Sequence, residues 1–161
     1  SAADAAFAGA VDAAQLMANS AKKAGIDIEV IREPNDGYWS NVWNNDAKGW
    51  CACYWGGRPA ETMMFSAAYV AESKWNDTMW KTTDSAVKFN QLVKDARKEL
   101  DESKKRDILY ECQRLIYDDG GLLCPLFNSY VSANSKKIAH GKIAANWDSD
   151  GAKCVERWWF A

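Results

Sequence analysis

Apolar residues first recur at helical spacing. Phe7, Ala10, Val11, Ala14, Met17, Ala18 and Ala21 fall three or four apart and predict an amphipathic helix over residues 5–24. Asp4 is placed to cap its start, and Gly25 follows the last periodic residue as an end signal. The period then changes to two. Ile26-Asp27-Ile28-Glu29-Val30-Ile31 alternates as a half-buried strand does. Glu33-Pro34-Asn35-Asp36-Gly37 is turn chemistry, and residues 38–45 predict a short helix with Trp39, Val42 and Trp43 on one face. Gly49-Trp50-Cys51-Ala52-Cys53-Tyr54-Trp55 is a continuous apolar run, the pattern of a strand buried on both faces, and it stops at Gly56-Gly57-Arg58-Pro59.

In the second half, residues 60–68 predict a turn or two of helix and residues 71–83 a loop containing Trp75-Asn76-Asp77-Thr78. Phe89, Leu92, Val93, Ala96 and Leu100 mark a helix that Asp101-Glu102-Ser103 interrupts. Ile108, Leu109, Cys112, Leu115 and Ile116 mark a second, ending at Gly120-Gly121. Leu122-Leu123-Cys124-Pro125-Leu126-Phe127 predicts a strand with Pro125 at an edge or irregular position. The tail from Ser135 has weak periodicity and reaches Arg157-Trp158-Trp159-Phe160. Helices alternating with apolar strands make the expected class α/β.

Charge and composition narrow the function. With 20 Lys+Arg against 22 Asp+Glu in 161 residues, bulk charge argues against a nucleic-acid surface. A 48% hydrophobic content excludes a disordered chain, and no apolar run approaches the ~20 residues of a membrane span. The first ten residues lack the basic and apolar regions of a signal peptide. Nine tryptophans require explanation beyond core packing, because a buried indole also asks for a hydrogen-bond acceptor.

No motif calls for a cofactor. The five cysteines lack zinc-ligand spacing and there is one histidine, His140, in a polar stretch, so neither a metal site nor a nucleophile–base pair is expected. Small buried hydrophobes are the simplest reading of the cysteines, with a Cys112–Cys124 disulfide also open. The remaining chemistry clusters at the Gly56-Gly57 corner, where Tyr38, Trp39, Trp43 and Trp55 supply aromatic surface. A buried strand ending in such a corner is where open α/β sheets place ligands.

This order of elements resembles the family 5 extracellular solute-binding proteins, the oligopeptide- and dipeptide-binding components of ABC importers. The resemblance is carried by Gly25-Ile26-Asp27-Ile28-Glu29-Val30, the apolar run ending in Trp55-Gly56-Gly57, Phe89-Asn90-Gln91-Leu92 with Ala96 to Asp101, Tyr110-Glu111-Cys112-Gln113, and Cys124-Pro125-Leu126. It covers about residues 5–133 and lies in order and spacing. It implies one lobe of a two-lobe binding protein, a mixed sheet flanked by helices. Residues 1–134 would be part of the C-terminal ligand-binding lobe, and 135–161 a tail packing on a lobe outside this chain.

The resemblance further implies a periplasmic, non-enzymatic binding role serving a membrane ABC permease. The ligand would be a peptide or a small anionic solute, bound by Tyr38, Trp39, Trp55, Gly56, Gly57, Arg58 and Glu61. Relatives commonly carry an acid two or three residues after the Trp55-like position, for the ligand's α-ammonium group. Here a base, Arg58, stands there, and Glu61 is the nearest acid. A guanidinium favours a carboxylate or phosphate. An apolar face around Trp158, Trp159 and Phe160 is a candidate dimer surface. Two rival classes are an aromatic-lined carbohydrate-binding module and a small hydrolase. The α/β pattern disfavours the first, and the lack of a clustered acid or nucleophile disfavours the second.

Overall fold

Thr83 and Asp101 open the two longest helices, each with a side chain that satisfies backbone donors at the helix start. The Ala86 N–H donates to Thr83 Oγ1 (3.2 Å), and the Ser103 and Lys104 N–H groups donate to Asp101 Oδ1 at 2.9 and 3.0 Å. The helices they start are Asp84–Lys98 and Glu102–Asp119. The computed structural model describes residues 1–161. In chain order its elements include α1 (Ala10–Lys22), α2 (Tyr38–Asn41), α3 (Glu61–Ala68), α4 (Asp84–Lys98), α5 (Glu102–Asp119), β1 (Ile138–His140) and β2 (Trp158–Phe160), with short helical turns at Asp46–Lys48, Asp148–Ala152 and Cys154–Arg157.

The main core lies where α4 and α5 pack antiparallel with α3 across them. Ala86, Phe89, Val93 and Ala96 form the buried stripe of α4, and Leu109, Cys112, Leu115 and Ile116 that of α5. Phe89 is fully buried between Phe65 (ring centroids 5.5 Å) and Trp80 (5.2 Å). Gly120 ends α5, and a side chain there would meet the Ile116 carbonyl at 2.6 Å. The Asp119 carboxylate beside it reaches the start of α4, accepting from Trp80 Nε1 (2.9 Å), Thr83 Oγ1 (2.9 Å) and Ser85 Oγ. The loop from Tyr69 to Trp80 is held by buried Asn76. Its Nδ2 donates to the carbonyls of Tyr69 (3.1 Å), Val70 (3.3 Å) and Trp80 (3.1 Å), and its Oδ1 accepts from Thr78 Oγ1.

A smaller core joins the N-terminus to α2: Ala3, Ala6, Ala10, Tyr38 and Val42, with Trp43, Cys51 and Ala52 against them. The helix predicted from residue 5 begins only at Ala10, with Gly9 rather than Asp4 as its N-cap. The Ala2 N–H is committed to the Ile31 carbonyl (2.9 Å), and the Ala6 N–H closes a tight turn on Ala3, which holds these residues out of the helix.

The expected α/β lobe with a mixed sheet is not what forms. The one sheet is the two-stranded antiparallel pair β1–β2 in the tail, register Ile138↔Phe160, and the rest of the fold is helical or irregular. Three predicted strands, 26–31, 49–55 and 122–127, form neither helix nor ladder; the sole bridge near them is Ala2↔Arg32. Apolar alternation suits a strand, but a strand needs a neighbouring strand at about 4.8 Å to exchange hydrogen bonds, and these segments have none. The run 49–55 is accordingly not buried on both faces: Trp50 is 66% and Tyr54 64% exposed. All five cysteines are free thiols, so no Cys112–Cys124 disulfide is made.

The tail closes on itself. Between β1 and β2 a left-handed turn over Asp148–Ala152 buries the Asp150 carboxylate, which accepts from the Ala144 N–H (2.6 Å) and Trp158 Nε1 (2.9 Å) and pairs with Arg157 at 3.2 Å.

Two outcomes follow for the helical core. Phe89→Ala should cost about 3–5 kcal/mol in urea unfolding followed by circular dichroism. Donors from Ser85, Trp80 and Thr83 hold the Asp119 carboxyl below the usual carboxylate range. Because its folded value is depressed, Asp119 stabilises the fold at neutral pH, and that contribution is lost as pH falls below about 4. The urea midpoint should therefore drop on acidification, by less in Asp119→Asn than in the unmodified chain.

Candidate functional site

Segment 49–58 is tied to the N-terminus and Tyr38 through Trp50 and Ala52, and its side chains converge with Trp43 on one carboxylate. Asp77 Oδ2 accepts from Trp43 Nε1 (2.7 Å), Trp55 Nε1 (3.1 Å) and the Cys53 thiol (3.5 Å). Asp77 lies in the loop that Asn76 staples to the helical core, so its position is inherited from that core. Two half-buried indole donors thereby find an acceptor, which helps to orient both rings. Trp43 in turn stacks on Trp75 (5.7 Å, 21°) and meets Trp39 edge-on (5.6 Å), and Trp39 meets Tyr54 edge-on (5.7 Å). The result is a continuous aromatic belt whose Trp39, Tyr54 and Trp75 members are exposed.

With its edge on Asp77, Trp55 turns a face to Arg58. The guanidinium carbon lies 5.9 Å from the Trp55 ring centroid and 5.5 Å from that of Trp147, which the tail brings over the opposite side. One guanidinium nitrogen donates to the Gly56 carbonyl (2.6 Å) and, at 3.4 Å, to that of Gly57. No carboxylate lies within ion-pair reach of Arg58. The N–H groups of Gly56 and Gly57 donate to no acceptor in the chain. A half-buried cation over two indole rings, adjacent in sequence to two free backbone donors, is an arrangement that attracts a carboxylate or phosphate oxygen. Neither glycine has a positive φ, and a side chain on Gly57 would make ordinary contact with the Tyr130 hydroxyl at 3.8 Å, so their smallness opens approach rather than relieving strain.

The structure distributes the sequence candidates unevenly. Trp55, Gly56, Gly57 and Arg58 come together, and Trp39 joins them through the aromatic belt. Tyr38 is fully buried, its hydroxyl donating to the Ala52 carbonyl (2.6 Å), and has no surface to offer a ligand. Glu61 stands at the start of α3 and lines a separate groove of about 430 Å³ with Glu102, Lys105, Arg106 and Tyr110 of α5. Arg58 is not part of that groove. Asp77, Trp75 and Trp147 were missed by sequence reasoning. Asp77 carried a faint signal, an acid within a tryptophan-bearing loop; Trp147 carried none, because the tail has no periodicity to place it.

The surroundings of Cys51 and Cys53 near the site, and of Cys112 in the helical core, favour the protonated thiol. Burial first, and then the Asp77 charge, push Cys53 up to about 12, and burial pushes Cys112 up to about 11. His140 packs on Trp158 (5.1 Å) in the tail hairpin and its Nδ1 lies 2.9 Å from the Gly141 carbonyl. No group of three or more metal-ligating side chains occurs. No protein-family model, curated protein sequence or solved structure matches the chain.

Asp77→Ala should leave helix content intact but destabilise the fold by about 1–3 kcal/mol, because indole donors lose their acceptor. Tryptophan emission should shift to the red. In the unmodified chain exposed Cys124 should react with a disulfide reagent well before Cys53. Asp77→Ala should narrow that gap, since the charge opposing the Cys53 thiolate is gone.

Proposed function

We propose that this chain is a non-catalytic solute-binding module that captures a small molecule or peptide by an anionic group. The observation that carries the reading is Arg58, held between Trp55 and Trp147 with no carboxylate partner and with the Gly56 and Gly57 N–H groups free beside it. The cation selects charge. Trp55 and the exposed belt of Trp39 and Tyr54 offer apolar surface to whatever is attached to that charge.

The resemblance to family 5 solute-binding proteins adds the physiological setting. On that reading the chain belongs to the periplasmic binding component of an ABC importer and delivers its solute to a membrane permease. The helical core here is not the lobe that the family implies, so the module reading rests on the Arg58 site and the importer reading on sequence order. No helix is long and apolar enough to cross a membrane, which fits a component that hands its cargo to a separate permease.

Tryptophan fluorescence tests the module reading, since Trp55 and Trp147 flank the site. Peptides with a free C-terminal carboxylate should change the emission saturably. The matching C-terminal amides, or Arg58→Gln with the free acids, should bind at least about tenfold more weakly, the loss of one charge-assisted hydrogen bond. Equal binding of acid and amide forms would defeat the anionic-group reading.

A further inference from the structure

The chain after α5 is joined to the rest of the molecule by few contacts. No hydrogen bond and no ion pair links residues 121–161 to residues 1–120; every one that this stretch makes is internal. Leu122 packs on the helical core, and neither core holds a residue beyond it. Residues 123–133 make no backbone–backbone hydrogen bond and belong to no helix or strand. Backbone without such bonds turns at little cost, which is the property of a hinge.

From Asn134 onward the chain holds itself together. Asn134 Nδ2 donates to the Ser135 (3.2 Å) and Ile138 (3.3 Å) carbonyls, and β1 pairs with β2. Asp150, the one buried residue after Gly120, gathers the Ala144 N–H, the Trp158 indole and Arg157. Trp147 belongs to the same unit, its carbonyl accepting from the Gly151 N–H at 3.2 Å. All these bonds survive if the unit moves as a body.

Its one aromatic or cation–π contact with the rest of the molecule is Trp147 on Arg58, at 5.5 Å. A partly desolvated contact of this kind favours docking roughly twofold to thirtyfold, enough to make docking the main state and little enough to let it open. The guanidinium carbon lies over the indole ring, whereas an anion bonds the N–H groups at the guanidinium rim, so the two do not compete. Arg58 Nε and Nη2 donate to nothing in the chain. Docking also takes water from the cation, which strengthens its pull on an anion.

We infer that residues 134–161 are a lid, hinged on residues 123–133 and latched by Trp147, that shuts over Arg58 and is held shut by an anion bound there. The latch is a property of the chain alone, while the coupling to the anion rests on the solute-binding reading. By reciprocity, a solute that favours the shut lid is bound more tightly by it.

Nitrogen-15 relaxation NMR of the full chain tests both parts, using trialanine with a free carboxylate as the probe. Without it, residues 138–160 should tumble mainly with α4 and α5, with millisecond exchange or residual independent motion reporting the open state. In Trp147→Ala and in Arg58→Gln, each removing one side of the latch, common tumbling should be lost. The Trp158 indole resonance, which reports its bond to Asp150, should be kept. Trialanine should suppress the open-state signal in the unmodified chain, and its C-terminal amide should not. A tail that tumbles with the core in both variants, or an unmodified chain with neither exchange nor independent motion, would overturn the lid. Trialanine that shifts the Arg58 resonance yet leaves the tail as mobile as before would overturn the coupling while the Arg58 site stands. No shift at Arg58 would overturn the coupling and the anionic-group reading together.

Discussion

The Asp77 carboxylate is the constraint on which the arrangement around Trp43, Trp55 and Arg58 depends. One oxygen takes the indole N–H groups of Trp43 and Trp55 and the thiol of Cys53, joining the segment that has no sheet to hold it to the end of α2. Without that acceptor Trp55 keeps its packing on Trp43 and the helical core but loses the hydrogen bond that fixes its indole edge. The placement of Asp77 comes from Asn76, whose amide spans three carbonyls of the same loop, and from Trp80, whose indole is clasped by Asp119 at the far end of α5. The chain of dependence runs from a capped helical hairpin, through a buried asparagine, to an acid, two tryptophans and a cation.

The same division of labour accounts for the tryptophan excess. Trp80 is core, with its N–H satisfied by Asp119 and Thr83. Trp43 and Trp55 are half-buried struts on Asp77. Trp55 and Trp147 flank a guanidinium, and Trp39 with Trp75 extends an aromatic surface outward. An arginine between two indoles loses few rotamers on meeting an anion and is more weakly hydrated than a lysine would be. This suits capture and release of a charged solute better than covalent chemistry, for which the buried thiols are poorly activated.

Local signals were legible in the sequence and long-range ones were not. Asp101 and Gly120 announce the bounds of α5 because capping is decided within a few residues. The apolar stripes of both helices were readable for the same reason. The predicted strands failed because alternation in Ile26 to Ile31, or an apolar run such as Leu122 to Phe127, specifies extended backbone but not a pairing partner. At the site, the Trp55–Arg58 corner could be seen in consecutive residues. Asp77 and Trp147 could not, since their roles come from contacts across 22 residues to Trp55 and across the whole tail to Arg58.

The central claim is that Arg58, between its two indoles, is where an anionic solute lands. Proton–nitrogen correlation NMR of the full chain, titrated with a short peptide bearing a free carboxylate, reads this most directly. The account predicts saturable shifts of the Arg58 side-chain resonance, of the Gly56 and Gly57 amides and of the Trp55 indole. Shifts confined to the groove beside Glu61, Lys105 and Arg106, with Arg58 unmoved, would contradict it.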